Sequence, residues 1–341
     1  MRAAIYNPYL DTLGGGERYT LSFAKVLLNN GFDVNIFWKD SSILDKFEKR
    51  FGITLNGLKT IDDIKKGEGY DLCFWVSDGS IPILHSRNNI LHFQFPFQNV
   101  SGRSLLNKMK LYRINHIVVN SLFTKNFIDK EYGVNSEVIY PPVDVDKIRT
   151  LNKQNVILSV GRFSQLTQAK RQDVLISAFQ KLVKKGIKNW KLILAGGTEV
   201  GAHEYIKSLK NMIKDLNIEI IESPDVKTLY SLYGKSKLFW SASGFEIDEL
   251  KDPMKVEHFG ISTVESMAGG CVPLVYNAGG HKETIQNEVN GYLWHNTNEL
   301  VKKTVELIND KEKLQKLSEK TIEDCQKFSL LQFEKKIVSI L

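Results

Sequence analysis

Two carboxylates, Glu257 and Glu265, stand eight positions apart in the stretch Glu257-His258-Phe259-Gly260-Ile261-Ser262-Thr263-Val264-Glu265-Ser266-Met267-Ala268-Gly269-Gly270. The Phe-Gly pair followed by small polar residues reads as a loop that enters a helix near Ser262. Gly269-Gly270 stops that helix, and the apolar run from Cys271 to Tyr276 reads as a buried strand. A helix start behind a glycine offers free backbone N–H groups and the positive end of a dipole, which together suit a phosphate. Glu257 ahead of the helix and Glu265 in its first turn can hold hydroxyls on either side of that phosphate, as a sugar, a diphosphate and a ribose require. A plainer role for Glu265 competes: Ser262 and Glu265 match the S-x-x-E capping box, in which the glutamate serves only its own helix.

The whole string resembles the E-x7-E motif of retaining glycosyltransferases of the GT-B family 4, and Glu257-His258-Phe259-Gly260 is close to the form found in some mannosyltransferases. The resemblance implies that Glu257 contacts the donor sugar and Glu265 the nucleotide ribose, with Phe259, Gly260, Ile261 and Ser262 in the donor site. A second cluster lies upstream, where the apolar run Val156–Val160 is followed by Gly161-Arg162-Phe163 and, eight positions beyond Arg162, by Lys170. Arg presents a planar fork and Lys a compact point charge, both standard phosphate ligands. Alone in a loop they would be solvated; here they resemble the family's diphosphate-binding pair. Where the family usually has Lys-Gly, this chain has Lys170-Arg171.

Near the N-terminus, Gly14-Gly15-Gly16-Glu17 lies between a strand (Ala3–Asn7) and a helix (Tyr19–Leu28). Glycines there let a ligand approach the backbone, and the resemblance puts Gly15 and Gly16 at the donor. Neither a G-x-G-x-x-G fingerprint nor a G-x-x-x-x-G-K-[ST] loop is present, which disfavours a nicotinamide cofactor. His92 ends a buried apolar strand. A lone His there is ordinarily a core residue, whereas the resemblance makes it the histidine that borders the donor sugar, a catalytic position shared with Glu257, Arg162 and Lys170.

The supporting elements alternate strand and helix throughout, with no solenoid repeat. Pro141-Pro142-Val143-Asp144 breaks regular structure, so the domains are expected at 1–150 (acceptor side), 151–325 (nucleotide sugar), and 326–341, a helix crossing back to the first. The resemblance implies an α/β GT-B architecture of two doubly wound Rossmann-like domains facing a cleft. Phe245–Val256 is expected to be a mobile flap; its acids Glu246, Asp248, Glu249 and Asp252 lack the spacing of a metal loop. Residues 101–113 are amphipathic and basic, which suits either an anionic membrane surface or packing on the domain.

With 341 residues, two domains are the prior. The net charge of +7 favours anionic ligands, but no nucleic-acid motif accompanies it. The three cysteines show no metal or disulfide spacing, and no apolar run approaches a bilayer span, so a reducing, cytoplasmic location, soluble or peripheral to a membrane, is expected. The expectation is a retaining hexosyltransferase that takes GDP-mannose first and UDP-hexoses second, acts on a saccharide, lipid-linked or other glycan acceptor, and needs no metal or other cofactor. A phosphorylase- or epimerase-type enzyme and a non-enzymatic partner protein on the same fold are the alternatives.

Overall fold

The computed structural model describes every residue except Leu166, Thr167 and Val200. The chain divides into two compact units, residues 1–142 with 330–341, and residues 143–329. In the first unit the strands are β1 (Arg2–Tyr6), β2 (Asp33–Phe37), β3 (Lys59–Ile61), β4 (Leu72–Val76), β5 (Asn88–Phe93), β6 (His116–Val119) and β7 (Glu137–Val138), ordered β3-β2-β1-β4-β5-β6-β7. In the second they are β8 (Gln154–Val160), β9 (Lys191–Gly196), β10 (Ile218–Glu222), β11 (Ser236–Ser241), β12 (Val272–Tyr276) and β13 (Tyr292–Trp294), ordered β10-β9-β8-β11-β12-β13.

Every pairing is parallel. Parallel strands need crossover helices that cover both faces, which is why the strands read as continuous apolar runs. In each sheet the chain winds one way from the first strand, then jumps back and winds the other way. In the second unit this reversal falls between β8 and β11, and the crevice beyond the carboxyl ends of the strands at such a reversal is where open α/β sheets bind ligands.

The division falls at Pro142, earlier than the expected residue 150, because the next residues are built into the second unit. The Val143 N–H donates to Phe328 O at 2.9 Å, and Val143, Val145 and Ile148 are buried. Residues 143–148 are therefore part of the second unit. Leu330–Leu341 returns to the first unit, where Phe333, Ile337 and Ile340 join its core and Asn88 Nδ2 donates to Ile340 O at 2.9 Å.

Several elements begin where the local chemistry, rather than the apolar pattern, dictates. The first helix runs Gly15–Asn29, so Gly15 and Gly16 form its opening turn instead of a loop before it. Its Glu17 carboxylate accepts from Gly14 N–H and Thr12 Oγ1, both at 2.7 Å, and so caps the start. The helices Ile43–Phe51 and Gln172–Lys184 and the strand β3 were not anticipated. Nor does Phe245–Val256 hang free. Glu249 accepts from Gly279 N–H at 2.7 Å and pairs with Lys282, and Asp252 pairs with Lys255 at 3.1 Å. Among the described residues no cluster of His, Cys, Asp or Glu could hold a metal ion, and no helix is long and apolar enough to cross a membrane.

Candidate active site

The loops that follow β8, β11 and β12, three adjacent strands, converge at the reversal in the second sheet. The loop after β8 carries Arg162 and Lys170. The Lys170 stem lies against Gly161, where an added Cβ would come within 2.6 Å of Lys170 Cγ. Gln172 holds the loop by donating to Arg162 O at 3.1 Å. Gly196, at the end of β9, backs it so closely that a Cβ there would sit 1.9 Å from Gly161 O.

Lys170 crosses to the loop after β11. Its Nζ donates to Glu257 Oε2 at 2.7 Å, and the two side chains are only 17% and 14% exposed. Burial alone would raise the Glu257 pKa, but the Lys170 charge outweighs it and holds the carboxyl at about 2. Glu257 is therefore ionised at any ordinary pH. Arg162 is more open: its guanidinium is 43% exposed and donates to Glu199 Oε1 at 2.5 Å. Arg162 thus has the exposure of a loop cation, whereas Lys170 does not, because Glu257 draws the ammonium inward.

The helix Ile261–Ala268 starts at Gly260, whose φ of +97° is open to glycine and strained for other residues. Gly260 is the N-cap and no side chain caps the helix. Ser262 is thus the second helical residue and Glu265 the fifth, beyond the first turn expected for it. The capping box does not form. Glu265 instead accepts from Tyr233 Oη at 2.9 Å. The leading N–H groups at Ile261 and Ser262 have no acceptor within the helix. Phe259 is buried and packs edge-on against Phe328 at 5.1 Å, which makes it a support for the loop.

The loop after β12 was missed. Asn277-Ala278-Gly279-Gly280-His281 presses against Glu257: Gly280 N–H donates to Glu257 O at 2.7 Å, and a Cβ on Gly279 would come 2.1 Å from that oxygen. The His281 ring is fully buried. Two glycines at the carboxyl end of an apolar strand carried the signal, the same one that drew attention to Gly15 and Gly16.

In the first unit, His92 is 1% exposed and stacked on Tyr19 at 4.3 Å and Phe74 at 5.5 Å, and neither ring nitrogen has a hydrogen-bond partner. Burial drives its pKa down to about 3. These surroundings are those of a core residue. A part for His92 beside the donor sugar, as the resemblance implies, stays a proposal. At Gly16 an added Cβ would meet Gln94 Oε1 at 1.9 Å, so a side chain there would displace the end of Gln94. Gly15, beside it, opens the helix.

Residues 143–324 match the family model for glycosyl transferases group 1, and residues 13–147 match that for glycosyltransferase family 4. The chain belongs to the glycosyl transferases group 1 family. It is 25% identical to the alpha-1,3/1,6-mannosyltransferase ALG2 of Candida glabrata over 84% of this chain and 78% of that one. It is 28% identical to the GDP-Man:Man(3)GlcNAc(2)-PP-Dol alpha-1,2-mannosyltransferase of Dictyostelium discoideum, over 66% of this chain but only 46% of that relative. Among solved structures, a glycosyltransferase from Rickettsia africae superposes with a TM-score of 0.78 at 20% identity, covering 99% of this chain and 97% of that one. Anabaena Alr3699/HepE in complex with UDP gives 0.75 at 17% identity and 99% of both. The fold of this glycosyltransferase is GT-B, two Rossmann-like α/β domains.

The Lys170–Glu257 pair has a consequence for acid stability. The folded carboxyl sits near 2 against an ordinary 4.5, so its contribution is complete above about 4.5 and is lost as pH falls toward 2. Urea midpoints of the wild-type glycosyltransferase should fall more steeply between pH 5 and pH 3 than those of Glu257→Gln, which has no such proton to take up. Parallel acid limbs would show that the pair contributes nothing on this axis.

Proposed function

We propose that this protein transfers mannose from GDP-mannose to a lipid-linked glycan with retention at the anomeric carbon. The observation that carries the reading is the buried Lys170–Glu257 pair at the mouth of the helix Ile261–Ala268, at the reversal of the second sheet. That the Candida and Dictyostelium relatives are mannosyltransferases supports mannose, and the GDP-Man donor and Man(3)GlcNAc(2)-PP-Dol acceptor of the Dictyostelium relative support GDP and a lipid-linked glycan. Lys170, Arg162 and the helix start receive the diphosphate as its charge develops. Glu257 faces the hexose, and the departing diphosphate takes the acceptor's proton on the same face of the sugar. No metal is needed in this scheme, since the cations that meet the leaving group are side chains.

The test is a panel of GDP-mannose, UDP-glucose and UDP-GlcNAc, read as release of nucleoside diphosphate with and without EDTA. GDP-mannose turnover that is insensitive to EDTA supports the proposal. Turnover of a UDP sugar alone removes the mannose assignment, and loss with EDTA removes the metal-free scheme.

Glu265 is assigned the nucleotide ribose. A carboxylate that accepts from ribose hydroxyls contributes alike to ground and transition states, so Glu265→Gln should weaken GDP binding roughly 10-fold while kcat changes little. Calorimetric titration of GDP checks this. Unchanged affinity would remove Glu265 from the ribose and leave its bond with Tyr233 as a structural contact.

Peripheral membrane association is part of the proposal. The helix Leu105–Leu111 has no fully buried residue, and only its last residue, Leu111, packs against a core cluster of the domain. Leu105, Leu106, Met109 and Tyr112 are 76%, 60%, 64% and 95% exposed. Arg103, Lys108, Lys110 and Arg113 flank them with no acid from 101 to 113. The loop ahead of the helix is anchored where Glu131 accepts from the N–H groups of Asn99, Val100 and Gly102. An apolar face rimmed by cations fits anionic lipid. Leu106→Glu with Met109→Glu should lower co-sedimentation with phosphatidylserine vesicles about 10-fold or more and leave turnover of a soluble acceptor unchanged. Undiminished binding would discard this surface.

A further inference from the structure

His281 occupies a position that no motif assigned. Its ring is fully buried at the start of the short helix His281–Thr284, in the loop that presses on Glu257. Nδ1 lies 3.0 Å from Tyr276 O. A carbonyl oxygen can only accept, so Nδ1 must carry the proton. Burial pushes the imidazole pKa down, which keeps the ring neutral and leaves Nε2 as a bare lone pair. That nitrogen is buried without a hydrogen-bond partner, although orphaned buried polar atoms are costly and uncommon.

The place that this edge of the ring faces is fixed by Gly260. A Cβ built there would lie 3.4 Å from His281 Cδ2, the carbon next to Nε2, 3.4 Å from Glu257 Cγ and 3.2 Å from Thr263 Oγ1. Thr263 Oγ1 is itself buried and unpartnered. Two orphaned polar atoms and the site carboxylate therefore ring one glycine at the helix start. A lone pair beside a carboxylate repels phosphate and attracts a hydroxyl hydrogen.

We propose that His281 Nε2 accepts a hydrogen bond from a hydroxyl of the transferred hexose, beside Glu257, and so helps select the sugar. This rests on the proposed function, in that it takes the ligand at Glu257 to be a nucleotide hexose.

The test pairs enzyme and substrate deletions. GDP-mannose and its four monodeoxy analogues, each lacking one sugar hydroxyl, are turned over by wild type and by His281→Phe, which keeps the ring's bulk. Wild type should lose kcat/KM roughly 10- to 100-fold for the analogue that lacks the contacted hydroxyl, and in His281→Phe that analogue should match GDP-mannose within about 3-fold. A common loss for GDP-mannose and all four analogues means a structural role and overturns the inference, as does an unchanged profile. If His281→Phe does not fold, the same comparison is made with His281→Leu. A wild type indifferent to every deletion overturns the inference with no variant at all. Failure to turn over GDP-mannose overturns the donor reading instead. The same cycle on UDP-glucose and its monodeoxy analogues then decides His281 by the same criteria.

Discussion

Lys170→Ala should reduce turnover on the order of 100-fold or more, the cost of removing one preorganised charge from a developing anion. The structure adds a second effect that a solvated lysine would lack. Glu257 is 14% exposed and its carboxyl is held near 2 chiefly by Lys170. Without that ammonium, burial of the carboxylate loses its chief counterweight, and the Glu257 pKa must rise. The variant should lose stability of roughly 3 kcal/mol, as expected when one partner of a buried pair is removed. The acid limb of its residual rate profile should move to higher pH. Arg162→Ala should also lower turnover on the order of 100-fold, but its guanidinium is 43% exposed, so its melting temperature should hardly move. Rates against pH and thermal melts of both variants check this contrast. Near wild-type turnover in either variant removes that residue from the site.

Glu257→Gln should lower kcat on the order of 100-fold or more and leave GDP affinity within about 3-fold of wild type. Gln keeps the size of the side chain and an oxygen for Lys170 Nζ, so the loop and the Gly280–Glu257 backbone bond persist. What disappears is negative charge beside a sugar ring that becomes positive as its bond to the diphosphate breaks. Single-turnover rates with GDP-mannose and calorimetry with GDP separate the two quantities. Equal losses in both would make Glu257 an anchor for Lys170 with no bearing on the sugar.

The second unit was the more legible in sequence because its chemistry is local. Glu257, Gly260 and Glu265 lie within one loop and helix, and Gly161, Arg162 and Lys170 within another, so spacing alone groups them. The central strands were legible because parallel strands buried on both faces are continuous apolar runs; β8 and β12 fall where Val156–Val160 and Cys271–Tyr276 put them. Facts set by distant partners were not legible. Lys170 is drawn inward by a carboxylate 87 positions away. Glu265 has the spacing of a cap, yet the N-cap is a left-handed Gly260, two residues ahead of Ser262, and Tyr233 donates to the carboxylate. The stack that the His92 ring makes with Tyr19 and Phe74 is set by residues distant in sequence. His281 escaped notice because nothing in its neighbours' identity shows that Tyr276 O fixes its tautomer.

The central claim is that this site moves a hexose from a nucleotide donor with retention. The most direct measurement is proton NMR of the product formed from GDP-α-mannose and a short mannoside acceptor, recorded while the donor is consumed. The account predicts GDP release coupled one-to-one to a new α-linked mannose in the wild type, and neither product in Glu257→Gln on the same time scale. A β-linked product would contradict retention. Equal product from the variant would show that the chemistry does not run through Glu257.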